Sequence, residues 1–387
     1  IIDTIQAKKI SIIMDPLEQS ALRKKIYRVD MGQEFTGFLD AKFDGLERGD
    51  TIEIMVSMRD SNPDFVEATY GIDDKVIEEQ RQRQLYIARG EEGEIFRNRF
   101  NFFAGRYIHF RGLRKVPELR NIKGLAVSSA APITASFECS DTLYNRIFAL
   151  DKYTYQMCHT EGVTVDCPNR ERLGYGPEGA YQTMWGIGLP CFDSAAHYIK
   201  NIRDWADVQF ENGYINNVAP QISYMYGCVL NGTSILNIAW EHYRLYGDKR
   251  VLELAYPVGE KWLKFLFSYV KDDMLTRYAQ QGYFLGEWVS PGPVFEYAET
   301  EEALFFNNCA YAMTLNFMIK IGTVLGHYQE VTENREKLSV LRLTLHRTFY
   351  NPDTGNYLKG DQTRTSFALY ADIVPGNLSE EIERHLK

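Results

Sequence analysis

The spacing of apolar residues changes once along this chain, near residue 138, and that change restricts the fold more than anything else in it. Before it come short β-rich runs: KISIIM (9–14), KIYRVDM (25–31), FTGFLDAKFD (35–44), TIEIMVSM (51–58), RYIHFRGL (106–113) and GLAVSS (124–129). Gly, Asp, Asn and Pro separate them, and Ile52, Ile54 and Val56 alternate with more polar neighbours. Strands of this kind pack as an antiparallel β-sandwich. The first 24 residues read as the tail of a preceding segment or a linker, and 25–136 as the β-sandwich domain.

From Ser140 the period is helical. Ser140 and Asp141 are placed to cap a helix carrying Leu143, Ile147, Leu150 and Met157 on one side. Asp193 is placed to cap the next, with Ile199, Ile202, Trp205 and Ala206 on its apolar face and Gly213 beyond its end. SILNIAWEHYRLYG (234–247) is a third, and Asp248 starts a fourth that Pro257 interrupts. Residues 301–326, 333–349, 362–373 and 379–387 read as further helices, about eight or nine in all. They share no repeat period, which favours a closed ring of helix pairs over a solenoid. Such a ring is unfinished at Lys387, so 137–387 reads as a truncated helical domain. The connections 212–232 and 271–300 exceed the roughly 12–15 residues usual for an idle loop, and they are rich in Tyr, Trp, Asn and Asp.

The net charge of −9 leaves no electrostatic footprint for nucleic acid, and no long uncharged apolar run suggests a membrane span. The six cysteines show no C-x-x-C pair and no histidine spacing that suits zinc, so each reads as a buried thiol and no metal is expected.

One stretch carries the chemistry. VDCPNRERLGYGPEG (165–179) holds Asp166, Glu171 and Glu178 together with Arg170 and Arg172, and it is broken by two prolines and three glycines. It is therefore a turn, with Pro177 opening a helix over 180–189. The charges could simply pair with one another, or Glu178 could complement a helix dipole. They could equally hold a polyol and supply an acid. Glycoside hydrolysis needs one carboxylic acid for the leaving oxygen and a second carboxylate as nucleophile or activator of water. The acid has to stay protonated, so arginines beside Glu171 must point elsewhere or be neutralised.

The segment DCPNRERLGY (166–175) resembles the signature of the α-L-rhamnosidases of glycoside hydrolase family 78. SFECSDTLYNRIF (136–148), FFAGRYIHFRGL (102–113), LGEWVSPG (285–292) and DQTRTSFALYADIVPG (361–376) resemble other segments of that family. The resemblance implies a β-sandwich followed by an (α/α)6 barrel and an inverting hydrolase that releases terminal α-L-rhamnose. It implies a carbohydrate as the only small-molecule partner and no cofactor. By position Glu171 is the general acid; Asp166, Arg170, Tyr175, Glu178, Glu287 and Trp288 line the sugar site. The position of the catalytic base falls beyond Lys387. The chain departs from the family pattern at Tyr175 (usually Trp), at Pro177-Glu178 (usually Gly-Asp) and at Glu287 (commonly Asp). Those departures keep two alternatives open: the same fold acting on another sugar, or as a lyase, and a non-catalytic sugar-binding relative. His159, close to the signature, is the histidine that a lyase reading would have to use. The substrate class favours a periplasmic or secreted setting over a cytoplasmic one.

Overall fold

A computed structural model of the chain describes all residues except 16–17, 59, 61–81, 170–171, 177–183, 221–227, 279–283, 287–299 and 385–387; for 184 and 185 it describes the backbone alone. The chain divides into two compact units, Ile1–Ala130 with Phe137–Arg172, and Ala131–Ser136 with Leu173–Lys387.

The first unit is built on one antiparallel sheet of strands β1 (Asp3–Gln6), β2 (Lys9–Met14), β3 (Lys25–Phe43), β4 (Thr51–Ser57), β5 (Arg83–Ile87), β6 (Glu94–Arg97), β7 (Phe103–Arg111) and β8 (Ile122–Ala126). The runs 25–31 and 35–44 are a single long strand. Its register against β7 shifts between Asp30 and Phe35, where Gly32 takes φ = 83°. That irregularity lets β3 pair with β2 through its first half and with β8 and β6 through its second. Val29, Met31, Phe35, Leu39 and Phe43 of β3 share a core with Ile52 and Ile54 of β4, Ile108 and Phe110 of β7 and Ile122 of β8. Residues 3–14, expected to be a tail, supply two strands of this sheet.

Helix α1 (Thr142–Cys158) belongs to the same unit. Asp141 caps it, accepting from the Leu143 N–H at 2.8 Å. Its last turns bind the sheet: the Tyr153 hydroxyl donates to the Glu34 carbonyl at 2.7 Å, and Met157 is part of the sheet core. Its first turns do not. Leu143, Ile147 and Leu150, the expected apolar stripe, are exposed.

The second unit is helical, with α2 (Ala195–Asp207), α3 (Val229–Tyr246), α4 (Arg250–Phe267), α5 (Glu301–Leu325), α6 (Tyr328–Phe349), α7 (Gln362–Tyr370) and α8 (Ser379–Arg384) among the described residues. Helices α3 and α5 are buried over most of their length and lie parallel, since Val229 meets Asn307 and Thr233 meets Thr314. Helices α4 and α6 return antiparallel to them after tight links at Gly247 and Gly326, both left-handed. These helices form hairpins and do not close a ring. Short β-hairpins follow α1 (His159–Thr160 with Val163–Thr164), α4 (Val270–Lys271 with Met274–Leu275) and α6 (Tyr350–Asn351 with Asn356–Tyr357).

Two local expectations are corrected. Asp193 does not cap α2; Ser194 precedes the helix, and its hydroxyl donates to the Gly188 carbonyl, so the helix begins one residue later. Pro257 does not interrupt α4. The ring removes one backbone donor, but Leu252, Ala255, Tyr256, Trp262 and Leu266 are buried on both sides of it, and their packing carries the helix through. The expected helix over 180–189 falls partly outside the described residues; within them, a wide turn over Met184–Gly188 leads into Leu189–Cys191.

Candidate active site

The signature turn begins where the hairpin after α1 ends. The Val165 N–H donates to the Cys158 carbonyl at 2.8 Å, which returns the chain alongside the end of α1. Asp166 follows, half-buried, with one carboxylate oxygen shielded from solvent. Burial, reinforced by the Asp166 charge, pushes the Cys158 thiol up to about 11. None of the six cysteines is in a disulfide; Cys191 and Cys309 are buried and the other four partly so.

Arg172 turns out to be an anchor. It sits in the left-handed region at φ = 58°, uncommon for a residue with a side chain. Its Nε donates to the Pro168 carbonyl at 2.9 Å, closing the turn on itself. Nη1 donates to Asn101 Oδ1 at 2.6 Å, and Nη2 to the Phe102 carbonyl at 2.9 Å. The guanidinium also lies over the Phe102 ring, 3.9 Å from its centroid. These partners are all neutral. The charge is spent fixing the turn against the segment before β7, and burial lowers the arginine's pKa.

Tyr175 opens the helical unit's share of the turn. Residues 174–176 run antiparallel to 217–219: Tyr175 bridges Val218, the Ala219 N–H donates to the Gly174 carbonyl at 3.0 Å, and the Gly176 N–H to the Asn217 carbonyl at 3.4 Å. A Cβ on Gly176 would lie 3.0 Å from Ser234 and from Trp205, so the turn is pressed onto α2 and α3. The long connection 212–232 is thereby tied directly to the signature. Arg170, Glu171, Glu178, Glu287 and Trp288 lie outside the described residues.

His159 is structural. It is 1% exposed; Nδ1 donates to the Tyr155 carbonyl at 2.9 Å, which leaves Nε2 to accept from the Thr164 hydroxyl at 2.9 Å. Both ring nitrogens are committed. Among the described residues no group of three or more His, Cys, Asp or Glu comes together as a metal site would require, and no helix is long and apolar enough to cross a membrane. What the sequence reading missed is a set of buried amides, Asn217, Asn231, Asn307 and Asn308, at the end of the helical unit that carries the long connections. A local signal existed for one of them: Asn231 stands at the third position of a helix, where a side chain can reach back to the cap.

Comparison with known proteins fits this geometry. Residues 132–387 match the family model of the bacterial alpha-L-rhamnosidase 6 hairpin glycosidase domain, and residues 20–128 that of the bacterial alpha-L-rhamnosidase concanavalin-like domain. An alpha-L-rhamnosidase of Streptomyces avermitilis is 27% identical over 267 residues, 68% of this chain and 24% of that protein. The solved alpha-L-rhamnosidase from Dictyoglumus thermophilum superposes with a TM-score of 0.81 at 24% identity, covering 100% of this chain and 41% of that one. The Streptomyces avermitilis enzyme complexed with L-rhamnose gives 0.79 at 20% identity, over 99% of this chain and 34% of that one. The chain thus spans about a quarter of the length of the curated relative and well under half of each solved one. With two thirds of its residues inside the six-hairpin model and most of the rest inside its partner, the chain belongs to the bacterial α-L-rhamnosidase family.

Proposed function

We propose that the protein containing this chain is an inverting glycoside hydrolase that removes terminal α-L-rhamnose from plant-type glycans or glycosides. The observation that carries this is family membership over both parts of the chain, with the family's signature intact from Asp166 to Gly174. In this reading Glu171 is the general acid. Its proton passes to the glycosidic oxygen as the bond from that oxygen to the sugar's anomeric carbon breaks. Water adds to the same carbon from the opposite face and gives its proton to a second carboxylate, roughly 6.5–9.5 Å from the first. Asp166, Arg170, Glu178 and Glu287 hold the sugar hydroxyls, with Tyr175 and Trp288 as walls, and the base lies in sequence beyond Lys387. The anchoring of Arg172 supports this assignment. A guanidinium that spends its donors on neutral groups exerts less pull on the ionisation of a neighbouring acid, which must remain protonated to act.

A second reading, the same reaction on a different deoxysugar, rests on Tyr175, Glu178 and Glu287. Each alters the expected size of a group in the sugar site. The proposed substrate class favours a periplasmic or secreted setting over a cytoplasmic one.

The test is turnover of an aryl α-L-rhamnoside by the full-length protein and its Glu171→Gln variant, with the product's anomer followed by NMR. We expect the variant to lose at least ~10²-fold in kcat, the scale of a general acid's contribution, and the wild type to release β-L-rhamnose first. Retention of the α anomer would refute inversion, and undiminished turnover in the variant would refute the role of Glu171.

A further inference from the structure

Two of the buried amides at the loop end of the helical unit, Asn231 and Asn307, link three segments through hydrogen bonds that meet on the adjoining backbone of Cys228 and Val229. The linkage starts at the signature. The Asn217 carbonyl accepts the Gly176 N–H at 3.4 Å and the Asn231 Nδ2 at 3.2 Å. Asn231, in the first turn of α3, turns its Oδ1 back to the Cys228 N–H at 3.0 Å. The next backbone donor of that helix, the Val229 N–H, is taken at 3.0 Å by Oδ1 of Asn307, which belongs to α5. The Asn307 amide then donates at 2.9 Å to the Leu285 carbonyl and at 2.9 Å to the Ala303 carbonyl. Both amide hydrogens and the oxygen are used, which fixes the orientation of the side chain. Asn307 is 0% exposed.

A buried amide in an apolar helix is costly unless satisfied, so its partners explain its presence. The partners here belong to three connecting segments. They are 174–176 of the signature turn, 216–219 with the start of α3, and 284–286. The last stands in sequence directly before Glu287 and Trp288. We propose that Asn231 and Asn307 are positioning residues, a bridge that holds these three segments in register and so sets where the sugar-binding side chains stand. This rests on the site assignment given under Proposed function.

The neighbouring residue supplies the control. Asn308 is equally buried and equally satisfied, but its Oδ1 accepts from the Leu275 N–H at 2.8 Å and its Nδ2 donates to the Leu275 carbonyl at 2.9 Å. It secures the hairpin after α4 and touches none of the three segments. Asn307→Asp and Asn308→Asp, made in the full-length protein, each replace an amide donor by a carboxyl group at the same depth.

The bridge predicts that both lower stability to a similar degree, but that only Asn307→Asp raises KM for the aryl rhamnoside and cuts kcat/KM. The expected loss is ~10²-fold, the scale that a displacement of about 1 Å brings. It also predicts faster amide hydrogen exchange at 284–286 and 228–230 in Asn307→Asp alone. Equal kinetic losses in the two variants, or unchanged exchange at 284–286 in Asn307→Asp, would overturn the proposal. Should Asn307→Asp fail to fold, Asn231→Ser tests the other half through exchange at 217–219, where an unchanged rate overturns the bridge. If the wild-type protein releases no rhamnose, the functional reading falls, and the exchange measurement still decides the bridge.

Discussion

The two ends of the helical unit are built in opposite ways. At one end α3 passes to α4 through residues 247–249 and α5 to α6 through 326–327. Gly247 and Gly326 take φ of 69° and 86°, and their N–H groups close onto the Tyr243 and Gly322 carbonyls at 2.8 Å. Each helix there ends by its own chemistry. At the other end the connections 208–228, 268–300 and 350–361 are long, and Asn307 and Asn308 of α5 hold the first two, at Val229 and at Leu275. The tight end is a local solution that any helical hairpin can use. The loop end works only if several helices are already in place; Tyr175 stands in the turn paired with it, and Glu287 and Trp288 fall in sequence within its connection 268–300.

Substitutions at glycines separate the two ends most sharply. Gly213, in the first long connection, has φ = 92°, and a Cβ there would lie 2.2 Å from the Lys261 carbonyl oxygen of α4. Gly213→Ala combines a left-handed penalty with a clash against the main chain, and we expect it to cost about 3 kcal/mol in urea unfolding. Gly247→Ala has the same backbone penalty but meets nothing within 4 Å. Its expected cost is about 1 kcal/mol. Equal losses would remove the distinction between a turn fitted to its neighbours and one that stands alone.

Acid supplies a gentler contrast. The tight end holds two imidazoles, His242 buried and His197 partly so. Burial, helped by Lys200, lowers the His197 pKa to about 4 from 6.5. Burial also lowers that of His242, whose Nε2 donates to the Ala195 carbonyl at 3.3 Å against the counter-effects of that bond and of Asp248. Between pH 6.5 and 4 the unfolded chain therefore binds more protons than the folded one, and stability falls as pH falls through that window. The asparagines of the loop end do not titrate. We expect protection of 195–198 and 239–247, corrected for intrinsic exchange, to decline over this range before that of 228–231 and 307–308, and His197→Gln to flatten the decline.

The sheet unit shares that window through buried His109, whose pKa burial lowers to about 4, and adds a lower one. Burial opposes ionisation of Glu94, but the Tyr86 hydroxyl and the N–H groups of Arg89, Gly90 and Glu91 outweigh it and hold its pKa at about 2. Its contribution is complete above the unfolded value of 4.5 and is lost as pH falls toward 2, which Glu94→Gln should abolish.

What the sequence made readable follows the same division. β-rich runs bounded by turn residues, with the alternation of Ile52, Ile54 and Val56, placed the strands, although Glu53 and Met55 between them are buried as well. Gly247 and Gly326 mark helix ends for the local reason given above. The apolar stripe of α1 was read correctly as a stripe. Its first turns are nevertheless exposed, since a pattern tells which face is apolar and not what covers it. Asn307 and Asn308 were illegible: within FFNNCAYAM two amides look like interruptions, and only the distant carbonyls they serve explain them. At the site, charge spacing left Arg172 as a partner for the acids. Two of its partners among the described residues, Asn101 and Phe102, are some seventy residues away and carry no charge signal.

The central claim is that sugar binds at the end where the connections are long. Hydrogen exchange of the full-length protein with and without saturating L-rhamnose tests it directly. The account predicts added protection at 174–176, 215–219 and 284–286, with 245–249 and 325–328 unchanged. Protection confined to the tight turns, or absent from all three connecting segments while rhamnose is bound, would contradict it.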